Sequence, residues 1–97
     1  MPLQQGSVLI VDDEPLLRKA LRTSLTASGF AIEEARNGEQ ALGTVESHPF
    51  DLVLLDMNMP GISGIDACWR IRGISPRAGI VMVTVRDLEH DKVRALV

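Results

Sequence analysis

Val8-Leu9-Ile10-Val11-Asp12-Asp13-Glu14-Pro15 is the stretch on which the fold turns. Four apolar residues in unbroken succession read as a strand covered on both faces, because a strand with one wet face would alternate. Three acids end the run. Pro15 then suits the first turn of a helix, where its missing N–H costs nothing. Leu17, Ala20, Leu21, Ser24 and Leu25 follow at helical spacing, and Gly29 suits the stop.

Outward from this stretch the same alternation recurs. Further apolar runs stand at Phe30-Ala31-Ile32, Leu52-Val53-Leu54-Leu55 and Ile80-Val81-Met82-Val83. Asn37 and Gln40 have capping-box spacing ahead of Ala41, Leu42 and Val45, and Ser63 and Asp66 have it ahead of Ala67, Cys68 and Ile71. Asp87 is placed to cap a fourth helix running to the end. The order β-α-β-α-β-α-β-α predicts an α/β fold, a doubly wound parallel sheet with helices on both faces. Strands one, three and four are continuously apolar. The second, Phe30 to Glu34, ends in two acids and is the natural edge. The expected order is therefore 2-1-3-4, the flavodoxin-like arrangement.

Strand four is as apolar as the central strands, yet nothing after it reads as a fifth. The chain stops at Arg94-Ala95-Leu96-Val97 without a helix-ending Gly or Asn. The expectation is one domain over 1–97, incomplete at its C-terminus, with the fifth strand and last helix absent. An apolar edge is a liability. A homodimer or altered oligomer through the strand-four and helix-four side is expected to cover it.

Composition narrows the function classes. The 97 residues allow one domain at most. A hydrophobic share of 45% with 24% charged residues is a globular balance rather than a disordered one. With two Phe, one Trp and no Tyr, the core must be aliphatic. The net charge of −3 and the scattered arginines argue against direct nucleic-acid contact by this segment. Cys68 is the single cysteine, which excludes an intrachain disulfide and a cysteine metal site and fits a reducing compartment. There is no signal-peptide pattern and no apolar run near the ~18 residues of a membrane span. The expected location is cytoplasmic, without membrane contact.

Ligands of open parallel sheets bind beyond the carboxyl ends of the strands, where the strand order reverses. Here that point lies between strands one and three. Strand one ends in Asp12 and Asp13, strand three in Asp56 and strand four in Thr84. Converging carboxylates repel, so they take up protons or bind a cation. All-oxygen ligation without His or Cys suits Mg²⁺ or Mn²⁺. A Mg²⁺ site that keeps several waters is typically completed by phosphate, which points to phosphoryl transfer with a carboxylate as nucleophile. Any one Asp at a strand end is more often a helix cap than a ligand. The adjacent pair, a third Asp about one βαβ unit later, and the Met59-Pro60-Gly61 and Gly64 context make the pattern specific.

Val8 to Pro15 resembles the first strand and acidic pair of response-regulator receiver domains, the CheY-like modules of two-component signalling. Asp51-Leu52-Val53-Leu54-Leu55-Asp56-Met57-Asn58-Met59-Pro60-Gly61-Ile62-Ser63-Gly64 resembles that family's phosphorylation segment, and Val83-Thr84 its switch strand. The resemblance implies the five-stranded 2-1-3-4-5 fold, with Asp56 as phosphoacceptor and Thr84 as switch residue moving toward the phosphoryl oxygen. It implies Mg²⁺ as cofactor, bound by Asp13 directly, by Asp12 directly or through water, by Asp56, and by the backbone carbonyl of Asn58. It also implies a sensor histidine kinase as phosphoryl donor, and no enzymatic activity beyond self-catalysed phosphorylation and dephosphorylation. The segment Thr84 to Leu96 is similar to receivers of the OmpR/PhoB class, which implies a winged-helix DNA-binding domain outside this chain and control of transcription. The family's phosphate-contacting Lys, followed by Pro, and its aromatic switch residue would both lie beyond Val97. Lys92 sits inside the expected fourth helix and does not replace that Lys. Val85 stands where the family usually has a small Ala.

Two alternatives belong to other classes. One is a phosphorylation-incompetent dimerisation fragment. The other is an aspartate-nucleophile phosphatase, although those enzymes usually carry Asp-x-Asp on the first strand. Gly38, Gly61 and Gly64 do not make a dinucleotide fingerprint. Among the remaining residues, Trp69 is expected to point outward or partly so, its ring lying over aliphatic neighbours, with a partner contact as the alternative. Cys68 reads as a small core residue, Met57 and Met59 as packing, and His48 and His90 as solvated positions without metal partners.

Overall fold

The structure is a computed structural model and describes residues 6–83. Strand β1 (Gly6–Val11) lies inside a parallel sheet, between β2 (Phe30–Ala35) and β3 (Leu52–Asp56), and β4 (Gly79–Val83) flanks β3. The order is β2-β1-β3-β4, as the strand patterns require, with the acid-ended β2 at one edge. Helices α1 (Pro15–Ala27), α2 (Gly38–Ser47) and α3 (Gly64–Ile74) make the crossovers.

Alternation along the strands divides the core in two. Leu9 and Val11 of β1 and Val53 and Leu55 of β3 face α2 and α3, where they meet Ala41, Val45, Ala67 and Ile71. Phe50 and Met59 close this cluster from the connecting segments, and Ile80 and Met82 of β4 pack against it. Val8 and Ile10, also buried, point to the opposite face, where α1 packs on β1 and β2. The residues at helical spacing on α1 differ in burial. Leu17, Leu21 and Leu25 are only half-buried, and Ala20 and Ser24 are exposed. No residue of α1 is fully buried, because the helix lies over the β1–β2 edge rather than over the middle of the sheet.

The caps follow the sequence. Asn37 accepts the Gln40 N–H and Ser63 accepts the Asp66 N–H. The Gln40 amide oxygen reaches one residue past its expected partner, taking the Arg36 N–H instead of the Asn37 N–H. Gly29 follows α1 with φ of 100°, a backbone conformation few other residues adopt.

Each strand runs one or two residues longer than its apolar run, apart from β2, which reaches Ala35 past its acids. Among the described residues β4 pairs only with β3, and Val81, on the sheet face opposite the α2–α3 cluster, is 48% exposed. The expected fourth helix from Asp87, His90, Lys92, and the chain end at 94–97 lie outside the described residues. No helix among the described residues is long and apolar enough to cross a membrane.

Candidate functional site

The register brings the ends of three strands level. Val11 is paired with both Ala35 and Leu55, so Asp12 and Asp56 leave the sheet side by side at the point where the strand order reverses. Asp12, Asp13 and Asp56 each offer a carboxylate oxygen, and these oxygens lie within 4.8 Å of one another. Asp12 is 4% exposed and Asp56 2%, while Asp13 is half-buried.

Asp12 is held on every side. Its N–H donates to the Ala35 carbonyl at 3.0 Å, extending the β1–β2 ladder by one rung. Its Oδ1 accepts the Glu14 N–H at 2.9 Å, which turns the chain toward α1. Its carbonyl accepts Arg18 Nη1 at 2.7 Å. Arg18 in turn donates through Nε to Glu34 at 2.9 Å, and Glu34 also accepts Arg22 Nη1 at 2.7 Å. The hydrogen bond from Arg22, reinforced by Arg18, outweighs partial burial and holds the Glu34 carboxyl below its ordinary value.

Asp56 ends β3, and the segment after it folds back over the acid. The Asn58 N–H donates to Asp56 Oδ1 at 3.0 Å. The Met57 N–H donates to the Val83 carbonyl at 3.1 Å, tying the segment to β4. Buried Met59 and half-buried Ile62 anchor the loop in the core, and Gly61 turns it with φ of 82°. Gly64 then lets α3 start against this backbone. A Cβ there would stand 2.6 Å from Met57 Cα and 2.8 Å from the Asp56 carbonyl oxygen, closer than real contacts allow.

The three predicted acids are thus brought together, and Asn58 lies beside them. Thr84 lies outside the described residues, although its neighbour Val83 is paired with Asp56. An all-oxygen set of three carboxylates, two of them buried, fits a hard divalent cation, which offsets their mutual repulsion. Sequence reasoning missed Arg18. The available signal was the i, i+4 pair Arg18 and Arg22 on the helix that returns to a strand ending in acids.

Other expectations divide. Trp69 does point outward and is 73% exposed. It sits on α3 opposite the buried Ala67 and Ile71. Cys68 is partly buried against the core. Met59 packs, whereas Met57 is exposed, because the backbone bonds to Val83 and Gly64 turn it away from the core. His48 is exposed and its ring stands 4.7 Å from that of Phe50.

Comparison with known proteins is consistent across sequence and structure. Residues 8–97 match the family described as Response regulator receiver domain. The transcriptional regulatory protein KdpE of Mycobacterium tuberculosis is 40% identical over 89 residues, 92% of this chain and 39% of that protein. The response regulator TrrA of Thermotoga maritima, solved in complex with Mg²⁺-BeF, superposes with a TM-score of 0.79 at 36% identity, covering 97% of this chain and 80% of that one. The structure of histidine kinase ThkA in complex with TrrA gives a TM-score of 0.77 at 41% identity, covering 86% of this chain and 70% of that one. The chain spans about two-fifths of the length of the curated relatives it matches.

Proposed function

The chain belongs to the response regulator receiver domain family, and from that premise we propose that it is a Mg²⁺-dependent switch that accepts a phosphoryl group on Asp56. The observation that carries this is the convergence of the Asp12, Asp13 and Asp56 carboxylates at the β1–β3 crevice. Asp12, Asp13, Asp56 and the Asn58 main-chain carbonyl would hold the cation. Held by these residues, Mg²⁺ would supply charge neutralisation for the phosphoryl oxygens.

The chain's own residues do the rest. A carboxylate oxygen of Asp56 attacks phosphorus in line while the P–N bond to a phosphohistidine donor breaks, and the imidazole regains a proton. The Asn58 N–H on Oδ1 sets the orientation of the attacking carboxylate. The packing of Gly64 against Met57 fixes the backbone that carries it. Water later attacks the acyl phosphate, returning phosphate and the free carboxylate. The phosphorylated side chain carries a charge of roughly −2 where −1 stood, and a hydroxyl one strand away responds by hydrogen bonding. Thr84, which follows Val83 in the sequence, is that hydroxyl. Chemistry is confined to the chain's own modification, so it is a signalling module and not a metabolic enzyme.

A sensor histidine kinase is the donor, supported by the similarity to TrrA in its kinase complex. The output is control of transcription through an effector domain outside this chain, supported by the similarity to KdpE. The test is addition of Mg²⁺ and then beryllofluoride, a phosphoryl analogue, followed by amide chemical shifts. Saturable shifts at Asp12, Asp13, Asp56, Met57 and Asn58 are expected. Shifts that leave these residues untouched would sink the proposal.

A further inference from the structure

We propose that Arg18 is a positioning residue for the acidic pair, acting through the peptide that joins Asp12 to Asp13; this rests on the cation site described above. The Asp12 carbonyl belongs to the planar unit whose other end is the Asp13 N–H and Cα. Rotation of that plane redirects Asp13 relative to Asp12 and Asp56. The Asp12 N–H is fixed by β2 and its Oδ1 by Glu14, which leaves the carbonyl as the remaining handle. Arg18 Nη1 takes it at 2.7 Å.

The guanidinium is suited to the task because it is itself held. Its Nε donates to Glu34 at 2.9 Å, and the Arg18 side chain is only 18% exposed. A rigid planar fork fixed on one arm delivers the other in a defined direction, which a flexible ammonium does not. The link also joins α1 and β2 to the crevice, so one side chain makes three elements converge on the Asp12–Asp13 peptide.

Charge and geometry act in opposite senses on a bound cation. The positive guanidinium repels Mg²⁺, so its charge alone would weaken binding. Its orienting bond strengthens binding. Arg18→Lys keeps the charge and removes the fork, isolating the geometric effect. Arg22→Ala removes a charge and an ion pair to the same Glu34 without touching Asp12, and serves as the control.

The experiment is Mg²⁺ titration of the 97-residue chain and its variants by amide shifts at Asp13 and Asp56, with a urea unfolding curve for each. Arg18→Lys should weaken Mg²⁺ affinity about tenfold, the low end for groups that orient metal ligands. Arg22→Ala should stay within about twofold of the parent, as expected for an exposed pair. If Arg18→Lys lacks a cooperative urea transition, Glu34→Gln is titrated in its place, since it frees one arm of the guanidinium. A several-fold loss supports the proposal, and unchanged affinity overturns it. Equal losses for the Arg18 and Arg22 variants would also overturn it, by making the network general support. A parent chain that binds Mg²⁺ while Arg18→Lys binds equally well removes only the positioning role. A parent chain without a Mg²⁺ response removes the cation site and this proposal together.

Discussion

Glu34 shows how one side chain sets a pH dependence. Its folded-state carboxyl titrates below the ordinary value of 4.5 because Arg22 and Arg18 stabilise the ionised form. The resulting stability is complete above that ordinary value and is lost as pH falls through the lower, folded value. Urea unfolding followed from neutral pH into the acid range should therefore show a decline below 4.5 that Glu34→Gln reduces. An identical acid decline in parent and variant would mean the arginine contacts contribute nothing to stability. At this scale the three acids were legible because the rule about strand ends fixes where such residues meet, whatever lies between them. Arg18 was not legible as a positioning residue. Its spacing from Asp12 says only that both are near the start of α1, and the bond to a main-chain carbonyl depends on how that helix lies on β2. Helical spacing did give the outward direction of Trp69.

The elements themselves follow from local chemistry. Asn37 and Ser63 cap α2 and α3 where capping residues were read, and Pro15 and Gly29 bound α1 as their backbone preferences require. Helix α1 is where pattern and packing part. Its spacing named Ala20 and Ser24 alongside three leucines, yet a helix over the edge of a sheet buries a narrower stripe than one over the centre. The strand ends also extend past the apolar runs, because hydrogen-bond pairing continues after hydrophobicity stops. Ala35 and Asp56 are both in strands for this reason. The extension matters for the site, since it carries Asp56 on the rigid sheet rather than on the loop that follows.

For the molecule as a whole, the strand order was legible because β2 alone breaks the apolar pattern with acids, which makes it an edge. The strand patterns place β4 at the other edge but do not say what covers it. Val81 on β4 is half exposed, and β4 pairs only with β3 among the described residues. A β4 edge left uncovered would favour self-association. We predict that the 97-residue chain sediments at micromolar concentration as a dimer or larger species, and a stable monomer would contradict the β4 side as an association surface. The central claim is that the converging acids make Asp56 the phosphoacceptor. It is tested most directly by treating the chain with a small phosphodonor such as acetyl phosphate, with and without Mg²⁺, and mapping the modified residue by mass spectrometry of peptides after borohydride trapping. One phosphoryl group on Asp56, dependent on Mg²⁺ and absent in Asp56→Asn, is the predicted result. Labelling at another residue, labelling that survives Asp56→Asn, or no labelling of the parent chain would contradict it.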